Sequence, residues 1–300
     1  MHANKFARAP CSPSLVAGLL VLLGFWGTAR AALIAYDGFN YVRNQTVVGQ
    51  GGGTGWNGST YQINSGNSAN SYIEESDMTT SFPTLGISGD QLHLNGTTAP
   101  GGNEGVYRNL ATTYSTAGNI YWFSVLLQVD TSTGASYAGI SLFSSNTEHF
   151  FYGQRNVSSF WGMEQHAGSG ANSTVSAFNS ANGLLVVELN GINHTASLYV
   201  NPTSLGGNAP TTANATLTFS DFSFDRIRAQ TGIENLDVDE LRFGTTFANV
   251  TPVPEPRTAL LVLMTAALAA RPRKRAWTWD SCLRPCFRRG LSFPALPRSD

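Results

Sequence analysis

The sequence predicts an all-β chain, an antiparallel sandwich flanked at each end by a short apolar helix. Three observations lead there. Between residues 32 and 252 no stretch sustains a helical period, runs of alternating apolar and polar residues recur, and clusters of Gly, Asn, Ser and Thr separate them.

The N-terminal helix comes first. Lys5 and Arg8 precede an apolar run over 15–26 and the small-residue sequence Ala29-Arg30-Ala31. A basic start, an apolar core and an Ala-x-Ala site describe a Sec signal peptide over 1–31, removed after Ala31, with Ala32 as the runner-up. A permanent span would need about 20 apolar residues, and this core is nearer a dozen.

Strands fill the next segment, 32–252. In residues 120–130 (IYWFSVLLQVD), Tyr121, Phe123, Val125, Leu127 and Val129 share one face, which predicts a strand with one buried side. Further strands are predicted at 137–143, 149–154, 159–164, 184–189, 195–200, 215–222, 224–229 and 236–243, with polar turn clusters such as 167–173 and 201–213 between them. Many short strands with turn punctuation read as a sandwich, and a segment of this length buries enough surface for one domain.

The C-terminal helix is the apolar run 258–270, thirteen residues long, preceded by Val253-Pro254-Glu255-Pro256 and followed by Arg271, Arg273, Lys274 and Arg275. Thirteen helical residues cover about 20 Å, short of a hydrocarbon core of about 30 Å. Basic residues remain cytoplasmic, so the chain would face outward before this segment. The motif, helix and basic cluster over 253–275 resemble the PEP-CTERM sorting tag. That resemblance implies transient contact with the inner membrane, cleavage by an exosortase-type enzyme, and delivery to the surface or exterior of a Gram-negative, exopolysaccharide-producing cell. Family members usually end soon after the basic cluster, whereas this chain continues through 276–300, a basic, Pro-interrupted stretch without periodicity that reads as unstructured.

Charge separates along the chain. Residues 32–256 hold six Arg, no Lys and seventeen acidic residues, a net −11, and residues 271–300 hold eight basic and two acidic, a net +6. An acidic ectodomain without lysine excludes nucleic acid as the expected partner. Its cysteine content is nil, since Cys11 lies in the signal peptide and Cys282 and Cys286 in the tail, so core burial must hold the fold. Cys282-x-x-x-Cys286 lacks the second pair of a zinc site. The Asn-x-Ser/Thr sequons, such as those at Asn44, Asn57 and Asn95, mark polar loops.

Within the ectodomain, Tyr36-Asp37-Gly38-Phe39-Asn40-Tyr41, Gly51-Gly52-Gly53-Thr54-Gly55-Trp56, Ser197-Leu198-Tyr199-Val200-Asn201-Pro202 and Val238-Asp239-Glu240-Leu241-Arg242-Phe243-Gly244 occur in that order. They resemble segments of concanavalin A-like, laminin-G-like jelly rolls. Such a resemblance implies a two-sheet scaffold for carbohydrate or matrix contact, only sometimes catalytic.

Sugar rings stack on aromatic faces beside amides and carboxylates, and Trp56, Tyr61 and Trp161, with Asn57 and Gln62, supply that chemistry in glycine- and asparagine-rich surroundings. Trp56 is the favoured platform, its glycines leaving the backbone open to a ligand. An enzymatic alternative rests on Asn235-Leu236-Asp237-Val238-Asp239-Glu240, which resembles the Glu-x-Asp-x-x-Glu motif of laminarinase-like glycosidases. Alternation slips inside it, predicting a bulge near Asp239. Asn235 stands where the nucleophilic carboxylate belongs, and an amide cannot replace it. Asp237, Asp239 and Glu240 are therefore expected to cap loops or to pair with Arg226, Arg228 or Arg242. His149 and His166 read as surface or loop residues, without a triad or metal spacing. No cofactor is expected beyond calcium, an open alternative because jelly-roll lectin relatives often bind it, although no Asp-rich loop of regular spacing is present. The expected function is noncatalytic polysaccharide contact outside the cell, with a polysaccharide hydrolase and a ligand-free structural protein as alternatives.

Overall fold

The computed structural model describes residues 33–253 except 77, 79–84, 86–88, 97–102, 131–135, 156–158, 167–172 and 177–181. The signal peptide and the helix, basic cluster and tail beyond Val253 lie outside the described residues. No helix among the described residues is long and apolar enough to cross a membrane. The strands are β1 (Leu33–Asp37), β2 (Gln62–Ser65), β3 (Ser71–Glu75), β4 (Asp90–Asn95), β5 (Glu104–Ser115), β6 (Ile120–Asp130), β7 (Ala138–Ser144), β8 (Thr147–Gln154), β9 (Trp161–Gln165), β10 (Ser173–Val175), β11 (Asn182–Asn190), β12 (Thr195–Val200), β13 (Ala215–Thr218), β14 (Ser223–Thr231) and β15 (Asn235–Gly244). A single turn of helix, α1 (Phe247–Val250), follows them.

Every strand pairing is antiparallel, and the strands form two sheets. One sheet has eight strands in the order β13-β12-β11-β6-β15-β4-β3, with β1 added beside β15; the other has seven in the order β10-β9-β8-β7-β14-β5-β2. They stack as a β-sandwich. Phe123 of β6 lies with its ring 5.8 Å from Phe224 of β14 and 6.2 Å from Tyr152 of β8, contacts that cross between the sheets. Tyr121, Phe123, Val125, Leu127 and Val129 all belong to this core, as their alternation predicts.

The opposite side of β6 is also covered, which corrects the expectation of one buried face. Trp122 and Leu126 join Leu184, Val186, Tyr199, Phe247 and Val250 in a second apolar cluster. The helix α1 closes it. Thr246 caps α1 by accepting a bond from the Asn249 N–H, and Ser124 Oγ donates to the Val250 carbonyl at 2.5 Å.

The predicted bulge in β15 is present. Register against β6 shifts between Asp239 and Arg242, and Glu240 has φ +53°. Leu236 and Val238 before it and Leu241 and Phe243 after it all reach the core. The bulge lets β4 pair with residues 235–238 and β1 with residues 241–244 on the same side of one strand. Sequence alternation missed β1 through β5 and β10, and it carried β13 too far, since pairing ends at Thr218.

Candidate functional site

The glycine-rich loop before β2 seats Trp56 against the fold. The ring is half-buried and packs on the main core, its Nε1 donates to the Tyr36 carbonyl at 3.1 Å, and the Arg108 guanidinium lies 4.7 Å from the ring centre. The glycines serve this seating. Gly53 and Gly55 have φ of +65° and +84°, and a Cβ on either would fall within about 2 Å of the Tyr36 or Ile34 carbonyl oxygen. Gly53 and Gly55 bring the loop onto β1, a seating role that the sequence did not suggest. A cleft of about 300 Å³ remains among Gly51, Gly52, Trp56, Ser59 and Arg108.

Below the loop sits a buried ion pair. Arg108, 3% exposed, donates from Nη1 to Asp37 Oδ2 at 2.7 Å and to the Gly52 carbonyl at 2.9 Å. Tyr41 and Tyr61 donate their hydroxyls to the same Asp37 oxygen at 2.6 and 3.1 Å. Tyr61 is therefore a core residue with a committed hydroxyl, and burial first, then the Asp37 charge, pushes its ionisation well up. Trp161 is 1% exposed inside the core. Neither ring is free to stack on a sugar, and both are corrected to structural roles; alternation puts Trp161 on the inner face of β9 with Met163. Asn57 and Gln62 are exposed, as expected. Asn57 Oδ1 accepts from the Ser59 N–H, and Gln62 Oε1 accepts from the Tyr107 hydroxyl at 2.5 Å.

Sequence reasoning missed the outer face of the seven-stranded sheet. Direct cross-strand partners there run Gln62, Tyr107, Arg228, Ser141, Phe151, Glu164 and Ser173, one residue from each strand. Directly opposed residues share a face, so this row is continuous from β2 to β10. The signal in sequence was present in β14, where Arg226, Arg228 and Gln230 alternate with the core residues Ile227 and Ala229. Assembly of the row itself required the register.

At its centre lies a second cleft of about 300 Å³, lined by Tyr137, Glu148, Phe151, Glu164, His166 and Arg228. Glu148 Oε1 accepts from Ser141 Oγ at 2.5 Å and from Gln230 Nε2 at 2.9 Å, and lies 3.6 Å from Arg228 Nη2. The Arg228 guanidinium also covers the Phe143 ring at 4.1 Å, while its buried Nε has no hydrogen-bond partner among the described residues. Glu164 pairs with Arg155 and lies 3.0 Å from His166 Nε2. Its bond to His166, followed by Arg155, holds the Glu164 carboxyl below its ordinary range, and the same bond pushes the His166 imidazole up. The cleft thus offers fixed carboxylate acceptors beside a guanidinium.

The motif at 235–240 does not form a comparable opening. Asp237 reaches His93 on the outer face of the other sheet, Asp239 is buried, and Glu240, 1% exposed, accepts from the Tyr36 hydroxyl at 3.1 Å and pairs with Arg242. Burial, then the Glu240 charge, pushes the Asp239 carboxyl up to about 8. Of the three arginines expected to pair with this motif, Arg242 does; Arg226 bonds Asn109 and Arg228 faces Glu148. His166 is exposed beside the cleft, whereas His149 departs from a loop position: it stands on β8, half-buried, stacked on Phe222 at 5.5 Å.

No family model and no curated protein matches the chain. Among solved structures it is similar to the T. cruzi calreticulin globular domain, with 6% identity and a TM-score of 0.46 over 79% of this chain and 94% of that one. It is also similar to the receptor binding domain of botulinum neurotoxin C/D mosaic serotype, with 10% identity and a TM-score of 0.42, and to the serotype D ligand binding domain in complex with N-acetylneuraminic acid, with 12% identity and 0.42. Each of these two matches covers 70% of this chain and 47% of the other, so the chain spans about half the length of the neurotoxin domains. Likenesses this distant leave the site to be read from the chain's own residues.

Proposed function

We propose that this protein is exported, trimmed at both ends and used outside the cell as a noncatalytic, polysaccharide-contacting protein, its sandwich a concanavalin A-like jelly roll. The observation that carries the reading is the polar row across the seven-stranded sheet, with the Arg228 guanidinium at a cleft that also holds two carboxylates. Sugar hydroxyls donate to carboxylates and accept from guanidinium and amide groups. One such cleft gives about millimolar affinity, near 4 kcal/mol, and many copies on a surface give useful retention. Export rests on the Ala-x-Ala signal and the 253–275 tag, with an exosortase as the processing partner.

Hydrolysis is the second reading, favoured by Glu148 and Glu164 lining the same cleft. Against it, a general acid needs a raised carboxyl, and Glu164 is held low by His166 and Arg155. Purified protein incubated with exopolysaccharide separates the two: retention without new reducing ends supports binding, and reducing ends that vanish in Glu148→Gln or Glu164→Gln establish a hydrolase. Mass measurement on envelope and culture fractions tests the export reading. A stable membrane form extending through Asp300 would sink the sorting step.

A further inference from the structure

The eight-stranded sheet carries on its outer face a cluster that polysaccharide contact does not use. Glu74, His93 and Asp237 come from the adjacent strands β3, β4 and β15, with Asp237 directly opposite His93. One ligand-type atom from each lies within 4.8 Å of the other two. His93 Nδ1 is 2.6 Å from Asp237 Oδ1 and 3.2 Å from Glu74 Oε1. A neutral imidazole carries at most one proton on that nitrogen, so one N–H serves two carboxylates of combined charge −2.

Neighbouring groups hold His93 and Glu74. The Tyr72 ring lies 4.9 Å from the His93 ring, and Gln91, 1% exposed, donates from Nε2 to Glu74 Oε1 at 3.0 Å. Gln91 Oε1 has no hydrogen-bond partner among the described residues. Outer groups of this kind orient the ligands of metal sites. The side chains themselves retain solvent access, with exposures of 13% for His93 and Asp237 and 32% for Glu74.

We propose that Glu74, His93 and Asp237 form a divalent transition-metal site, best suited to zinc. One imidazole and two carboxylates match zinc's nitrogen and oxygen preference, with the fourth tetrahedral position left to water. The ion neutralises both carboxylates and joins the edge strand β3 to β4 and β15. The site stands on the opposite sheet from the polysaccharide cleft, so each reading can fail alone.

Metal-free protein carrying Cys282→Ser and Cys286→Ser is titrated with zinc chloride by calorimetry and melted with and without the metal. The expected result is one zinc per chain, a melting temperature raised by excess zinc, and affinity weakened about tenfold or more in His93→Ala and in Glu74→Gln. Equimolar calcium should not displace the zinc, because an imidazole ligand disfavours it. Should His93→Ala fail to fold, Glu74→Gln on the more exposed side chain decides, together with loss of the visible cobalt absorption of the cobalt-loaded protein. No zinc uptake by the parent protein, or uptake unchanged in the folded variants, overturns the proposal.

Discussion

On the outer side of the eight-stranded sheet, Trp122, Leu126, Leu184 and Val186 lie under α1 and Tyr199, whereas the outer side of the seven-stranded sheet presents Tyr107, Arg228, Glu164 and their polar neighbours to a cleft. The two faces share one backbone geometry and differ in what covers them. An apolar outer face must be capped to leave water, and the chain spends its last described turn of helix there. A charged outer face needs no cap and stays available. Polysaccharide contact is therefore expected on the seven-stranded sheet, whose outer face the fold leaves uncovered.

The largest effects should come from the interior that both faces enclose. Trp161→Ala is expected to cost about 3–5 kcal/mol, measured by denaturant unfolding, because it empties a fully buried position. Arg108→Met should cost a similar amount, about 3–5 kcal/mol, by stranding the buried Asp37 carboxylate. Trp56→Ala should fall lower, about 2 kcal/mol, since the ring is half-buried yet anchored by Tyr36 and Arg108. An unmoved melting temperature with lost retention would return Trp56 to the role of a sugar platform.

How much of this contrast was legible beforehand depended on the strand. Residues 120–130 announced a strand at its observed limits because their alternation is carried by large apolar side chains. The cover over Trp122 was not legible, since α1 and Tyr199 arrive from distant sequence. The bulge at Asp239 was visible as a phase slip between Val238 and Leu241. Strands β2 through β5 hid because polar and glycine-rich residues interrupt their pattern, and Asp37 and Arg108, which no local pattern links, face inward as a pair. Trp56, Tyr61 and Trp161 were grouped by local composition, which cannot tell an inward ring from an outward one; parity within β9 decides Trp161, and the loop before β2 decides the other two. Glu148, Glu164 and Arg228, separated by up to 80 positions, meet only through register.

Two pH effects sharpen the comparison. The buried Asp239 has its carboxyl raised from 3.8 to about 8, so the stability of its protonated form is full below about pH 3.8 and is lost as pH rises through about 8. Asp239→Asn should remove that decline between about pH 4 and 8 and gain on the order of 1–3 kcal/mol above pH 8, read by thermal melts across pH. On the open face the effect is smaller. Glu164 is lowered from 4.5 and His166 raised from 6.5, so their pair contributes between those values, weakening below as Glu164 protonates and above as His166 loses its proton. Because His166 is partly exposed, His166→Ala should change stability by under about 1 kcal/mol, confined to that window.

The most direct test of the uncovered face is polysaccharide retention by Arg228→Lys, measured beside its melting temperature. Lysine keeps the positive charge and loses the planar fork. The expected result is retention on exopolysaccharide reduced about tenfold with the melting temperature nearly unmoved. Retention equal to the parent protein, with the fold intact, would contradict the assignment of binding to this cleft.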